Sequence, residues 1–238
     1  MFLACFPAGP LAANCYVVAG GADTDPDAKP AGSGSLRPCL VVDPGMDAAA
    51  LVDEVIREHG LRPVAVLVTH GHADHSADAA TVADAHDAGC WLAEPDRYQL
   101  TDPLAGLSPE LRPAFAGFFP PGVSRPLPSR MLDLAPGPVR LAGLDLTLLP
   151  APGHTEGSTL YALEVGEPDV PRVVFTGDVV FAGSVGRTDL PGGDQATMEA
   201  TLRDVVLALS DDTVLLPGHG PQTTVGHERG TNPFLRGL

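Results

Sequence analysis

Thr69-His70-Gly71-His72-Ala73-Asp74-His75 packs three of the chain's eight histidines and one aspartate into a single short stretch. It follows directly on Val64-Ala65-Val66-Leu67-Val68, an apolar run that reads as a buried strand. A polar cluster at the carboxyl end of a buried strand is where open α/β sheets place their ligands. Imidazole and carboxylate together suit zinc, iron or manganese. The histidine density is too high for an ordinary polar loop.

Three later stretches repeat the same logic. His154 follows the apolar run 144–149 through Pro150-Ala151-Pro152-Gly153, Asp178 follows 172–176 through Gly177, and His219 follows 213–216 through Pro217-Gly218. Each is an apolar strand, then a glycine that allows close backbone approach, then a metal-capable side chain. One such histidine would read as structural; four such strand ends in one chain read as a site. Asp43, in Asp43-Pro44-Gly45 after the apolar 39–42, also sits at a strand end. It reads as a residue that orients a ligand histidine, with simple turn capping as the alternative.

The rest of the chain supplies the frame. Residues 2–6 and 14–19 read as strands, and 20–38, rich in Gly, Ala, Pro, Asp and Ser, as a flexible loop. Leu51, Val52, Val55 and Ile56 mark an amphipathic helix over 47–58, with Asp47 as N-cap and Gly60 as C-cap. Residues 76–87 read as a helix and 90–92 as a strand, continuing an α/β alternation. Eight prolines break up 94–130, which reads as a partly helical insertion with short helices at 94–100 and 109–119. Its Phe115, Phe118 and Phe119 pack a small core there or wall the pocket. Strands follow at 132–134, 139–141, 144–149, 159–165 and 172–176, then a helix over 195–209 with Asp194 as N-cap, then a strand at 213–216. The order suggests two similar halves packed face to face in a single domain spanning 1–238.

Composition narrows the function. The formal charge is −16 with a single lysine, Lys29, which disfavours nucleic acid and anionic membranes, since phosphate affinity comes mainly from Lys and Arg. No run approaches the ~18 apolar residues of a membrane span, and no leader peptide is evident. Cys5, Cys15, Cys39 and Cys90 form no C-x-x-C pair and read as buried free thiols in a reducing compartment, so a cytoplasmic location is expected. His59 and His86 read as solvent-facing.

His70-x-His72-x-Asp74-His75, with His154, Asp178 and His219 in this order, resembles the metallo-β-lactamase superfamily. The resemblance spans nearly the whole chain and implies an α+β fold, a four-layer αβ/βα sandwich with a metal cleft at one edge. Within the superfamily, Gly153-His154-Thr155-Glu156-Gly157-Ser158 and Gly186-Arg187-Thr188-Asp189 look most like the glyoxalase II (hydroxyacylglutathione hydrolase) group. The tail from Thr224 to Phe234 looks like its short bacterial branch.

The resemblance implies two divalent metal ions, zinc expected, with iron or manganese as alternatives. His70, His72 and His154 would bind the first ion, Asp74, His75 and His219 the second, and Asp178 would bridge them. The implied activity is hydrolysis of a small-molecule hydroxyacyl thioester, of the S-lactoyl-thiol kind, by a metal-held hydroxide. Asp74 would double as catalytic proton acceptor. Neither a nucleophilic serine nor a G-x-S-x-G motif is needed or present.

Arg187 reads as a buried arginine paired with Asp189, or as a contact for a substrate carboxylate. Tyr161 reads as core, or as pocket lining. Ser158 stands where glutathione-specific members commonly carry histidine, which leaves mycothiol or coenzyme A open as the thiol carrier. The alternatives are a mononuclear iron sulfur oxidoreductase resembling persulfide dioxygenases, a lactamase or lactonase, and a non-catalytic binding module.

Overall fold

The computed structural model describes residues 1–21, 36–167 and 170–238; most of the 20–38 loop therefore lies outside the described residues. Strands β1 (Phe2–Ala8), β2 (Ala13–Ala19), β3 (Arg37–Val42), β4 (Leu61–Leu67) and β5 (Gly89–Trp91) form one sheet in that order. β1, β2 and β3 pair antiparallel, then β3, β4 and β5 pair parallel. The parallel half needs crossovers. These are α1 (Ala49–His59) and the pair α2 (Ala73–Ser76) and α3 (Ala79–Ala85).

The stretch from β5 to the second sheet carries α4 (Tyr98–Thr101) and α5 (Arg112–Phe115). The second sheet takes β6 (Gly137–Leu141), β7 (Leu144–Pro150), β8 (Thr159–Glu167) and β9 (Val170–Gly177). It also takes β12 (Val214–Pro217) and β13 (Thr223–Thr224), in spatial order β13-β12-β9-β8-β7-β6. β10 (Val180–Phe181) and β11 (Ser184–Val185) make a small hairpin, while α6 (Gln195–Thr201) and α7 (Val225–Thr231) flank β12 and β13 in the chain.

Strand periodicity sorts the side chains into layers. From β2, Cys15, Val17 and Ala19 face a core shared with Val52 and Ile56 of α1 and Val82 of α3, while Tyr16 and Val18 face the opposite way. The core on that opposite side is built by both sheets, with Leu40, Val42 and Leu67 meeting Leu146, Leu148, Leu163 and Phe175. Leu160 and Ala162 of β8 face a third core with Met198, Leu202 and Val225. The order helix, sheet, sheet, helix is the expected four-layer sandwich of the metallo-β-lactamase fold. Among the described residues no helix is long and apolar enough to cross a membrane.

Several local expectations need correction. Asp47 does not cap α1: its φ of 59° puts it in a left-handed turn, and the Ala49 amide instead donates to Asp78 Oδ2 at 2.9 Å. Gly60 does terminate the helix, with φ 62° and its N–H donating to Ile56 O. The 76–87 helix is two pieces, because Ser76 closes the single turn that carries the metal-capable motif. The 195–209 helix is α6, N-capped by Asp194 Oδ1 accepting from Thr197 N at 2.7 Å, followed by a π turn over Leu202–Val206. Residues 132–134 form no strand; Leu132 N donates to Cys90 O, and Met131 makes only an isolated bridge to Cys90. Cys15, Cys39 and Cys90 are buried as expected, but Cys5 is exposed. His59 is exposed against Phe2, whereas His86 is half-buried, 2.9 Å from Asp53.

Candidate metal centre

β4, β7, β9 and β12 deliver their carboxyl ends to one edge, where main-chain and tyrosine hydrogen bonds tie the sheets together. Thr159 N donates to Thr69 O at 2.9 Å and Asn14 N to Gly218 O at 2.7 Å between the sheets, and Gly218 N to Gly177 O at 2.8 Å within the second sheet. Tyr161 OH donates to Val68 O at 2.5 Å and Tyr16 OH to Pro217 O at 2.6 Å. The loops that follow these strands therefore start from fixed points. His72 is still extended (φ −57°, ψ 143°), and the single turn of α2 behind it brings Asp74 and His75 back toward the edge.

The side chains converge in three overlapping groups: His70, His72 and His154; His70, His75 and Asp178; Asp74, His75 and His219. In the first, His154 Nε2 lies 2.9 Å from His72 Nδ1. In the third, His219 Nε2 lies 3.2 Å from Asp74 Oδ2 and 3.3 Å from His75 Nε2. Asp178 stands between them, with Oδ1 3.3 Å from His75 Nε2 and Oδ2 3.7 Å from His154 Nε2 and 3.6 Å from His219 Nε2. Two donor atoms bound tetrahedrally at zinc–nitrogen distances are about 3.3 Å apart, so this spacing is that of ligands around a shared ion. Buried His70 Nε2 and Asp178 Oδ1 have no hydrogen-bond partner. The donor set and its unpartnered atoms fit a binuclear metal site.

Neighbours settle which histidine nitrogens are free. Thr69 donates its hydroxyl to Asp43 Oδ2 at 2.7 Å, so its oxygen accepts from His70 Nδ1 at 3.1 Å and leaves the His70 Nε2 lone pair open. The same Asp43 Oδ2 lies 3.1 Å from His75 Nδ1, and Asp43 Oδ1 accepts from Thr69 N at 2.7 Å. Asp43 thus contacts one site histidine and reaches a second through Thr69. His154 Nδ1 donates to Arg187 O at 2.7 Å. Such partners fix tautomer and ring orientation at metal sites.

His70 and His72 are biased away from charge, and His75 and His219 toward it. Burial, reinforced by the surrounding imidazoles, pushes His70 well below its ordinary value and His72 down to about 3, so both are neutral at physiological pH. Burial also opposes charge on His75, but Asp178, Asp74 and Asp43 outweigh it and raise His75 well above its usual value. His219 is raised in the same contest, chiefly by Asp74 and Asp178. Burial works against ionisation of Asp74 and Asp178, yet His75 and its neighbours hold both below the ordinary carboxylate range.

The paired groups open onto a cavity of about 430 Å³. Its walls are largely apolar, from Leu11, Leu107, Leu111, Phe115, Phe181 and Leu190. Part of the 94–130 insertion is therefore pocket wall, while Phe119 packs a small core with Met46, Ala73, Ala77 and Leu104, and Phe118 is exposed. Arg187 lines the cavity and pairs in a fork with Asp189 at 2.6 and 2.7 Å, on the surface rather than buried. Tyr161 does not line the cavity. It is fully buried between the sheets, 5.8 Å from the Trp91 ring.

Two residues of the 94–101 turn had no signal in the sequence. Asp96, 1% exposed, accepts from Gly71 N at 2.8 Å, Thr155 Oγ1 at 2.7 Å and Gly157 N at 2.8 Å. It clasps the first motif to the His154 loop. Gln99 lies buried beside it. Neither is part of a spacing pattern, because the motif loops that they pack against, at Gly71, Thr155 and Gly157, lie more than twenty residues away in the chain.

Comparison with known proteins agrees with this geometry. The family described as the metallo-beta-lactamase superfamily matches residues 37–219, and the chain belongs to it. An uncharacterized protein of Mycobacterium tuberculosis is 38% identical over 238 residues, covering all of this chain and 99% of that one. The hydroxyacylglutathione hydrolase GloC of Haemophilus influenzae is 34% identical over 196 residues, 82% of this chain and 86% of that one. Among solved structures, BLEG-1 B3 metallo-beta-lactamase superposes with a TM-score of 0.78 at 31% identity, over 99% of this chain and all of that one. TTHA1623, in a di-iron-bound form, superposes with a TM-score of 0.70 at 33% identity, over 99% of this chain and all of that one. Family and site together define a probable metal-dependent hydrolase.

Proposed function

We propose that the chain hydrolyses a small hydroxyacyl thioester at a pair of divalent ions. The observation that carries this reading is the position of Asp178, within 3.3 to 3.7 Å of His75, His154 and His219, so that one carboxylate serves both triads. His70, His72 and His154 would hold the first ion and Asp74, His75 and His219 the second. When bound, the ions would bring the pKa of a water toward neutrality and stabilise charge on the carbonyl oxygen and the departing thiolate.

The chain's own groups supply the rest. Asp74, ionised and 15% exposed at the cavity floor, takes up the proton of the attacking water. Leu107, Leu111 and Phe115 exclude bulk water and hold the apolar part of the substrate. Arg187 holds His154 through its carbonyl, while its guanidinium, tied to Asp189, leaves the wall close to neutral. The named activity of the relative from Haemophilus influenzae supports a thioester over other hydrolysable bonds. Zinc is the expected metal, with iron as the alternative because the solved relative TTHA1623 holds two iron ions.

Metal analysis of purified protein, beside a panel of S-lactoyl thiols, tests the reading. Near two ions per chain with hydrolysis supports it. One iron per chain, with oxygen uptake on a thiol persulfide and no hydrolysis, would replace it with the oxidoreductase.

A further inference from the structure

Gln99 is only 1% exposed, yet its amide oxygen Oε1 has no hydrogen-bond partner. A buried amide oxygen left unpaired is costly, so one kept in a fold calls for an explanation. It lies between two glycines. A methyl on Gly71 would fall 2.8 Å from Gln99 Cδ, and one on Gly106 would fall 2.1 Å from Gln99 Oε1 and 3.0 Å from His72 Cδ2. The space that a Gly106 side chain would take is thus bordered by both the Gln99 amide oxygen and the edge of the His72 ring. Cδ2 is bonded to Nε2, and His72 Nε2 is itself buried without a partner. The other ring nitrogen, Nδ1, faces the first triad, 2.9 Å from His154 Nε2.

An imidazole that offers its Nδ1 lone pair must carry its proton on Nε2. The other buried site histidines have a group placed for that second nitrogen: Thr69 for His70, Asp43 for His75, the Arg187 carbonyl for His154. His72 lacks one among the described residues, and Gln99 lacks a donor. We infer that Gln99 is the positioning residue of His72. Its amide oxygen accepts His72 Nε2–H, directly after a small rotation or through one shared buried water. This holds the tautomer whose Nδ1 lone pair faces the first ion. The inference rests on the proposed ligand role of His72 and is independent of the substrate.

Two measurements test it without an activity assay. Imidazole ¹⁵N spectra of the native protein, metal-free and zinc-loaded, should show His72 protonated at Nε2 in both. Competitive titration with zinc should show Gln99→Leu weakening the first ion by about 10–100-fold and leaving the second unchanged, with Gln99→Glu restoring much of the loss. Protonation of native His72 at Nδ1, or a folded Gln99→Leu protein that binds both ions as tightly as the native chain, would overturn the inference. If Gln99→Leu does not fold, the native spectrum decides. Native protein that binds no ion would instead overturn the ligand reading, a separate outcome.

Discussion

Asp43 Oδ2 lies 3.1 Å from His75 Nδ1 while the same carboxylate takes both the amide and the hydroxyl of Thr69. One side chain at the end of β3 therefore sets two rings of the site. Asp43→Ala should weaken binding of the second ion by about 10–100-fold, since removal of such partners has that effect at other metal sites. It also strands the buried Thr69 amide, at a cost of about 1–3 kcal/mol. Metal titration and thermal melting measure the two effects. Native affinity in the folded variant would mean that Asp43 only caps its turn.

Asp178 lies within 3.3 to 3.7 Å of histidines from both triads, His154 on one side and His75 and His219 on the other, whereas His72 belongs to one. Asp178→Ala should lose both ions and His72→Ala mainly the first, and both variants should lose thioester hydrolysis while staying folded. Metal content, circular dichroism and turnover on an S-lactoyl thiol distinguish these. Full activity in either folded variant contradicts the ligand assignment.

Acid should empty the triads in order. Without metal, His70 and His72 are already neutral, with His72 lowered to about 3, while His75 and His219 are raised and take up protons at higher pH than an ordinary histidine. An ion entering beside His75 and His219 must displace protons, so its affinity falls as pH falls. Dialysis against limiting zinc between roughly pH 8 and 5.5, around the ordinary histidine value, should take the content from two ions toward one before the first ion leaves. The reverse order would contradict the charge asymmetry.

Gly218 leaves no room for a side chain. A methyl there would lie 2.3 Å from Asp178 Oδ1 and 2.5 Å from His75 Cε1. The two tightest contacts are side chains rather than backbone, so Gly218→Ala should fold but push the Asp178 carboxylate aside. We expect metal content below one ion per chain and at least about a hundredfold loss of turnover, the scale of a 1 Å misplacement of reacting groups. A variant with native metal content and turnover would show that the carboxylate tolerates the shift.

The thiols should split one against three. Cys15, Cys39 and Cys90 are buried, and burial raises all three, Cys39 and Cys90 to about 12. Cys5 is exposed and raised less. Iodoacetamide at about pH 8 should label Cys5 in the native protein and all four only after unfolding, as read by mass spectrometry. The reactive species is the thiolate, so burial and raised pKa act in the same direction.

The sequence by itself determined the metal-capable side chains and, through the resemblance that they carry, the family and the expected four-layer sandwich. The side chains are written in a local pattern: an apolar run, a glycine, a histidine or aspartate, repeated at four strand ends. It was enough to assign the halves of His70-x-His72-x-Asp74-His75 to different ions, on family resemblance. Only the tertiary structure brought Asp178 within 4 Å of three histidines and left Tyr161 between the sheets instead of in the pocket. It also replaced Asp47 by Asp78 as the acceptor for the first amide of α1, because Asp47 sits in a left-handed turn while the Asp78 carboxylate, from the segment between α2 and α3, lies 2.9 Å from that amide. Asp96 and Gln99 were illegible for the same reason. Their partners at Gly71, Thr155 and Gly157 belong to other loops, and hydrogen bonding and close packing across such distances leave no periodicity in the chain.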